Sequence, residues 1–192
     1  MHSRSLLARI VTIIGVLGIA AGTAHAQAAI FDSVQVVRTP RSNCYRTALY
    51  TVVEVARTEE VGSDHFIGNA TRPCDADSLA ADFVVRNEWA EYFAGLRGHF
   101  LILDSGTGPD MRGLLVFDLQ TRRRTFQGLY ANFERGATND AIGVWQPYDL
   151  PTLRPGCPVI EGFGHGVDSL VWLNLRTGKT SYAGQVRCAI RQ

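Results

Sequence analysis

Leu114–Gly128 reads LLVFDLQTRRRTFQG, and 56 residues later Leu170–Gly184 reads LVWLNLRTGKTSYAG. Each stretch is an apolar run, then Asp118 or Asn174, a Leu, x-Thr, a basic turn, an aromatic residue and Gly two positions on. The order fits a β-hairpin used twice. Asp118 and Asn174 can accept the backbone N–H groups of the turn that follows. Gly178 supplies a residue that tolerates positive φ before the return strand, and Arg122 takes that place in the first copy at a modest steric cost. On the second return strand Tyr182, Gly184, Val186 and Cys188 share one face, while Ser181, Gln185 and Arg187 share the other. This period of two predicts a sheet with one face packed and one wet.

The hairpin resembles the strand pairs of β-propeller blades, in which a D-L-x-T-G-K turn is common. The resemblance covers 15 residues per copy, and two copies at 56-residue spacing depart from a ring of four or more blades. The expected fold is therefore mainly β: a compact antiparallel β-sandwich or barrel with a duplicated hairpin unit and one α-helix. The helix is expected within Ser78–Leu96, where Val85, Trp89, Tyr92 and Leu96 fall at helical spacing and Gly95 and Gly98 mark an end, with a strand at Asp82–Val85 as the alternative for its start. Ile30–Arg38 and Arg46–Arg57 read as strands, and Thr58–Pro73 as mostly loop with room for a short strand near His65 and Phe66. Ala131–Gly156 reads as a long connection with one short strand at Ile142–Trp145. Gly162, Gly164 and Gly166 read as a flexible loop around His165. Trp172, inside an apolar run, is expected in the core.

Residues 1–26 read as a cleaved signal peptide. Arg4 and Arg9 precede an apolar stretch, Ile10–Ala21, which is shorter than the ~20 residues that span a bilayer. Ala24-His25-Ala26 then offers small residues where a signal peptidase cuts. Removing 26 of the 192 residues leaves 166, the size of one exported domain, periplasmic or secreted. Of 19 Lys and Arg residues, Arg4 and Arg9 leave with the signal, so 17 basic side chains face 18 acidic ones. That balance favours neither nucleic acid nor an anionic membrane as partner.

All four cysteines, Cys44, Cys74, Cys157 and Cys188, lie beyond the signal. An even count in an exported chain reads as disulfides. Among three possible pairings, Cys44–Cys74 and Cys157–Cys188 are favoured because each closes a loop of about 30 residues within one half, a stabilisation of roughly 3–4 kcal/mol apiece. The spacings do not match the paired cysteines of zinc sites.

Candidate chemistry centres on Asp104-Ser105-Gly106-Thr107, which follows the apolar run Phe100–Leu103. The stretch resembles the D-[ST]-G-[ST] signature of aspartic proteases. That resemblance implies a water-activating pair of carboxylates, with Asp104 contributed by each of two subunits, as in retroviral-type enzymes. Gly108-Pro109-Asp110 and Val159-Ile160-Glu161-Gly162 depart from the family pattern, and the second hairpin unit has no D-[ST]-G. The competing reading is a strand that ends in a Gly-rich turn. As a calcium loop, Asp104, Thr107 and Asp110 miss the EF-hand spacing. No nucleotide, zinc or serine-hydrolase motif appears, so no cofactor or metal is expected. Arg122-Arg123-Arg124 could grip an acidic partner or polyanionic glycan, or simply solvate a turn and discourage edge pairing.

The expected role is a non-enzymatic binding module for an envelope or secreted protein or a cell-wall component, as a protein inhibitor would be. Its surface is expected to come from Asp104–Arg112 and Gly162–Asp168, with Asp104, Asp110, Arg112, His165 and Asp168 as contacts. The alternatives are the Asp104 protease and a purely structural envelope protein.

Overall fold

Alternating apolar and polar side chains produce strands throughout the computed structural model, which describes residues 29–74, 81–108, 111–138, 140–148, 157 and 161–191. The strands form three antiparallel sheets in which every neighbour along the chain is also a neighbour in space. The first sheet holds β1 (Gln35–Arg38), β2 (Ser42–Arg46), β3 (Tyr50–Ala56), β4 (Ser63–Asn69) and β5 (Phe83–Val85). The second holds β6 (Glu91–Arg97), β7 (Phe100–Ser105), β8 (Arg112–Asp118) and β9 (Arg123–Tyr130). The third holds β10 (Asn132–Thr138), β11 (Ala141–Pro147), β12 (Gly164–Asn174) and β13 (Thr180–Arg191).

The second sheet is the middle layer, and its pleat feeds two cores. Phe100, Ile102, Leu114 and Val116 point to the third sheet and meet Ile142, Val144, Val171 and Leu173. Leu101, Leu103, Leu115 and Phe117 point the other way and meet Val52, Ile67 and Val85 of the first sheet. Successive residues of a strand face opposite sides, so a continuous apolar run such as Leu114–Phe117 belongs in a strand buried on both faces. Each such buried side chain stabilises by roughly 2 kcal/mol. β7 and β8 are thus packed on both faces, whereas the packed face expected from Tyr182, Gly184, Val186 and Cys188 on the second return strand is corrected. In β13, the outer strand, the side chains are exposed or half-buried along the whole length.

Both predicted hairpins form, as β8–β9 and β12–β13. Asp118 Oδ1 accepts the Gln120 N–H at 2.9 Å, and Asn174 Oδ1 accepts the Thr177 N–H at 2.9 Å. Arg122 has φ 55° and Gly178 φ 67°. The two turns differ in surroundings. Thr125 Oγ1 donates to Leu175 O at 2.6 Å, which brings the second turn against β9. A Cβ on Gly178 would fall 2.0 Å from Thr125 O, so glycine is required there for close approach as well as for backbone conformation.

No helix occurs among the described residues, and no closed barrel forms. The stretch expected to be helical holds β5, a turn and β6. Its helical spacing loses to strand pairing of Phe83–Val85 with β4 and of Glu91–Arg97 with β7. Residues 78–80 of that expectation lie outside the described residues. Arg46–Arg57 is two strands with a turn at Thr47, whose hydroxyl accepts the Tyr50 N–H at 3.0 Å. Thr58–Pro73 contains all of β4, and Ala131–Gly156 contains both β10 and β11. Only Gln35–Arg38 of the predicted first strand is a strand. Ile30 and Phe31 instead pack against the core between the second and third sheets. Trp172 is half-buried on the face opposite that core, beneath the Arg135 guanidinium at 5.5 Å.

Cys44 is bonded to Cys74 and Cys157 to Cys188, each with a Cα–Cα distance of 5.5 Å. Two disulfides and no free thiol among the described residues mark an oxidising, exported compartment. The expected signal peptide lies outside the described residues. No described helix is long and apolar enough to cross a membrane.

Candidate functional site

The predicted contact residues fall into two ion-pair clusters. Asp104 and Arg112 occupy the same pleat face as Ile102 and Leu114, one step beyond the apolar core. Arg112 Nε donates to Asp104 Oδ1 at 2.6 Å. Burial, together with the neighbouring Asp104 carboxylate, pushes the Tyr130 phenol above its ordinary range. Ser105, next to Asp104 in the protease-like stretch, turns its hydroxyl away and donates to Trp89 O at 2.8 Å. Asp168 is buried in the third sheet. Arg187 Nε donates to its Oδ2 at 3.1 Å, and Arg191 donates to its Oδ1. Arg187 also lies 4.4 Å from the Trp145 ring centroid. His165 sits in β12, paired with Ile190, rather than in a free loop. Asp110 lies outside the described residues.

Register brings the two clusters to one end of the stack. Arg112 pairs with Tyr130, the chain turns at Ala131, Asn132 pairs with Trp145, and Pro147 pairs with Asp168. The first cluster balances one carboxylate with one guanidinium, while the second sets two guanidinium groups around the single Asp168 carboxylate. No group of three or more His, Cys, Asp or Glu among the described residues could hold a metal ion.

A more open surface lies between the first and second sheets. The turn from β5 to β6 carries Trp89, which is 75 % exposed, followed by Ala90 at φ 60°. A non-glycine residue in that region is strained and persists only where its surroundings over-determine it. They do here. The Glu91 carboxylate accepts the N–H groups of Glu88 at 2.7 Å and Trp89 at 2.8 Å. Asn87 Oδ1 accepts the Glu91 N–H at 3.0 Å, and Gly106 N–H donates to Ala90 O at 3.1 Å. Asp64 Oδ1 accepts the Asn87 N–H at 2.8 Å. Burial alone would raise the Asp64 pKa, but that N–H and the Arg86 guanidinium outweigh it and hold the carboxyl low. Gly62 closes the turn from beneath, since a Cβ there would fall 2.1 Å from Asn87 Oδ1.

Trp89 stands over a cavity of about 520 Å³ whose floor is Gly113, Leu115, Gln127 and Leu129 and whose far wall is Met111. Met111 is 45 % and Leu129 52 % exposed. Glu88, Glu91 and Leu115 also border a second cavity of about 420 Å³, lined by Phe83, Val85, Phe117, Arg86, Arg122 and Arg124. The result is a trough along β8 and β9, apolar at one end and cationic at the other. The Asp104–Arg112 loop contributes Gly106 and Met111 to it. Sequence reading does not place Trp89 in the contact surface, because Val85, Trp89 and Tyr92 group there as one helical face. The Asn87 and Glu91 side chains flanking it were the available signal for a side-chain-capped turn.

Comparison with known proteins adds no relative: no family profile, no curated protein and no solved structure matches the chain.

Proposed function

We propose that the chain is a single-domain exported binding module, built as an open sandwich of three sheets by duplication of a hairpin unit. It is released by signal-peptide cleavage near Ala26 and engages an envelope or secreted partner through the trough beside Trp89. The observation that supports this is the Trp89 turn. A large aromatic side chain is held in water by a strained backbone that is braced by hydrogen bonds on both sides of it, above an apolar floor. Rigid, exposed aromatics lose little conformational entropy on contact and anchor many interfaces. Asp104 and Asp168, each already paired with arginine, serve as struts for the loops rather than as ligand contacts.

The test is co-purification from the native envelope fraction with mass spectrometry, using wild type, Trp89→Ala and Tyr182→Ala. Tyr182 is also exposed but lies on β13, outside the trough. Loss of the enriched partner only in Trp89→Ala supports the reading. Equal recovery with all three proteins rejects it.

A further inference from the structure

The trough has chemistry that narrows its occupant. Its wall includes β5, which pairs only with β4, so one edge of that strand carries no partner strand. Its floor runs along β8 from Phe117 to Gly113. With about 3.3 Å per residue, the seven residues of β8 match an extended segment of about six or seven residues. A free edge above an apolar floor is the arrangement used when a peptide adds a strand to a sheet.

Charge separates the two ends. Among the described residues no carboxylate forms an ion pair with Arg122, Arg123 or Arg124, whereas Arg86 pairs with Asp64 at 2.9 Å. The Glu91 carboxylate is taken up by the Glu88 and Trp89 N–H groups. Arg122 and Arg124 therefore mark the hairpin-tip end, and the Glu88 and Glu91 carboxylates sit between them and the apolar end, where the two cavities meet. Trp89, Met111 and Leu129 form the apolar end.

We propose, resting on the binding-module reading above, that the trough holds an extended polypeptide added along β5. Its acidic side chains meet Arg122 and Arg124, and an apolar side chain rests on Trp89, Met111 and Leu129. A glycan fits less well, because Gln127 is the one uncharged side chain with an amide or hydroxyl on the trough floor beneath Trp89. A second copy of this chain would have to bring an acidic extended edge.

The test uses fluorescence anisotropy with two fluorescein-labelled octapeptides, Glu-Glu-Thr-Val-Thr-Phe-Thr-Leu and the same residues in reverse order. Reversal covers both strand directions. At least one is expected to saturate with Kd near or below ~100 µM. Replacing its glutamates with lysine should weaken binding about tenfold or more. So should the Arg122→Ser/Arg124→Ser double variant and, separately, Trp89→Ala. The side chains altered are exposed, and unchanged thermal unfolding confirms that the variants fold. Several results overturn the proposal: no saturation by either glutamate peptide up to about 1 mM, equal binding of the lysine peptides, or indifference to the double variant. A dimer in sedimentation that dissociates in Trp89→Ala overturns it in favour of a second copy. Tighter binding of a neutral cell-wall oligosaccharide overturns it in favour of a glycan. If the peptides fail while Trp89→Ala still loses its envelope partner, the polypeptide inference falls and the binding-module reading stands.

Discussion

The two interfaces made by the middle sheet are unlike. Toward the third sheet its centre is apolar and closed: alternate residues of β7 and β8 meet those of β11 and β12, the β12–β13 turn presses its backbone onto β9 at Thr125, and the polar groups of that face, Arg97 and the Asp104–Arg112 pair, flank this core. Toward the first sheet it admits polar groups. Glu54, almost fully buried, accepts hydrogen bonds from Asn43 Nδ2 at 3.0 Å, Tyr45 Oη at 2.8 Å and the Phe93 N–H at 2.9 Å. His65, with no exposed surface, lies 3.6 Å from the same carboxylate, a contact longer than a hydrogen bond. That interface also opens into the trough. One side of the sheet is spent on cohesion, while the other keeps polar machinery and an unfilled surface.

The largest expected effect comes from breaking the apolar interface. Gly178→Arg gives the second turn the residue found in the first, but its Cβ would collide with Thr125 O. Loss of at least about 3 kcal/mol is expected in urea unfolding. The reverse exchange, Arg122→Gly at the exposed tip, relieves positive φ without a collision and should change stability by less than about 1 kcal/mol. Equal costs for the two exchanges would show that backbone conformation alone, not docking, selects glycine.

Next comes the polar interface. Burial alone would raise the Glu54 pKa, but the adjacent His65 ring and hydrogen bonds from the Phe93 N–H, Asn43 and Tyr45 take it down to about 2. A carboxyl depressed in the folded state stabilises above its unfolded value and loses that contribution as pH falls to the folded value. Stability on the order of 3 kcal/mol should therefore be present above about pH 4.5 and vanish toward about pH 2. Glu54→Gln should flatten that part of a stability-versus-pH curve. Curves of the same shape for both proteins would remove Glu54 from the acid sensitivity.

The smallest effect is expected at the trough. Trp89→Ala removes a side chain that is 75 % exposed and should shift stability by less than about 0.5 kcal/mol. A larger loss in thermal unfolding would mean that the indole holds the turn rather than being displayed by it.

The hairpins were legible because their chemistry is local. Asp118, Asn174 and Gly178 do in the structure what their types require at those turn positions, and the positive φ of Arg122 followed from its alignment with Gly178. The disulfide partners were legible from loop length. The helix assignment failed because Val85 ends β5 while Trp89 sits in the turn that follows, and two of the groups that hold this turn, Asp64 and Gly106, are distant in sequence. The candidate site was half legible. The Asp104–Arg112 loop does border the trough, but the two-arginine pairing of Asp168 depends on strand register that composition does not reveal. β4 was legible only as a short strand near His65 and Phe66, because its buried positions include Ser63 and His65 and so give no apolar alternation over its full length.

Arg97 carries a consequence for how the chain assembles. Its guanidinium donates to Ala29 O and Ile30 O at 2.6 Å and, through Nε, to Thr138 O at 2.8 Å, while Phe31 packs edge-on to Phe133 at 5.0 Å. The first described residues thus find their resting place only after residues a hundred positions later have arrived. A ribosome or a translocation pore delivering this polypeptide from its amino end can complete the strands of the first sheet in order, yet the short segment ahead of them must wait until the last third of the chain emerges to clasp it.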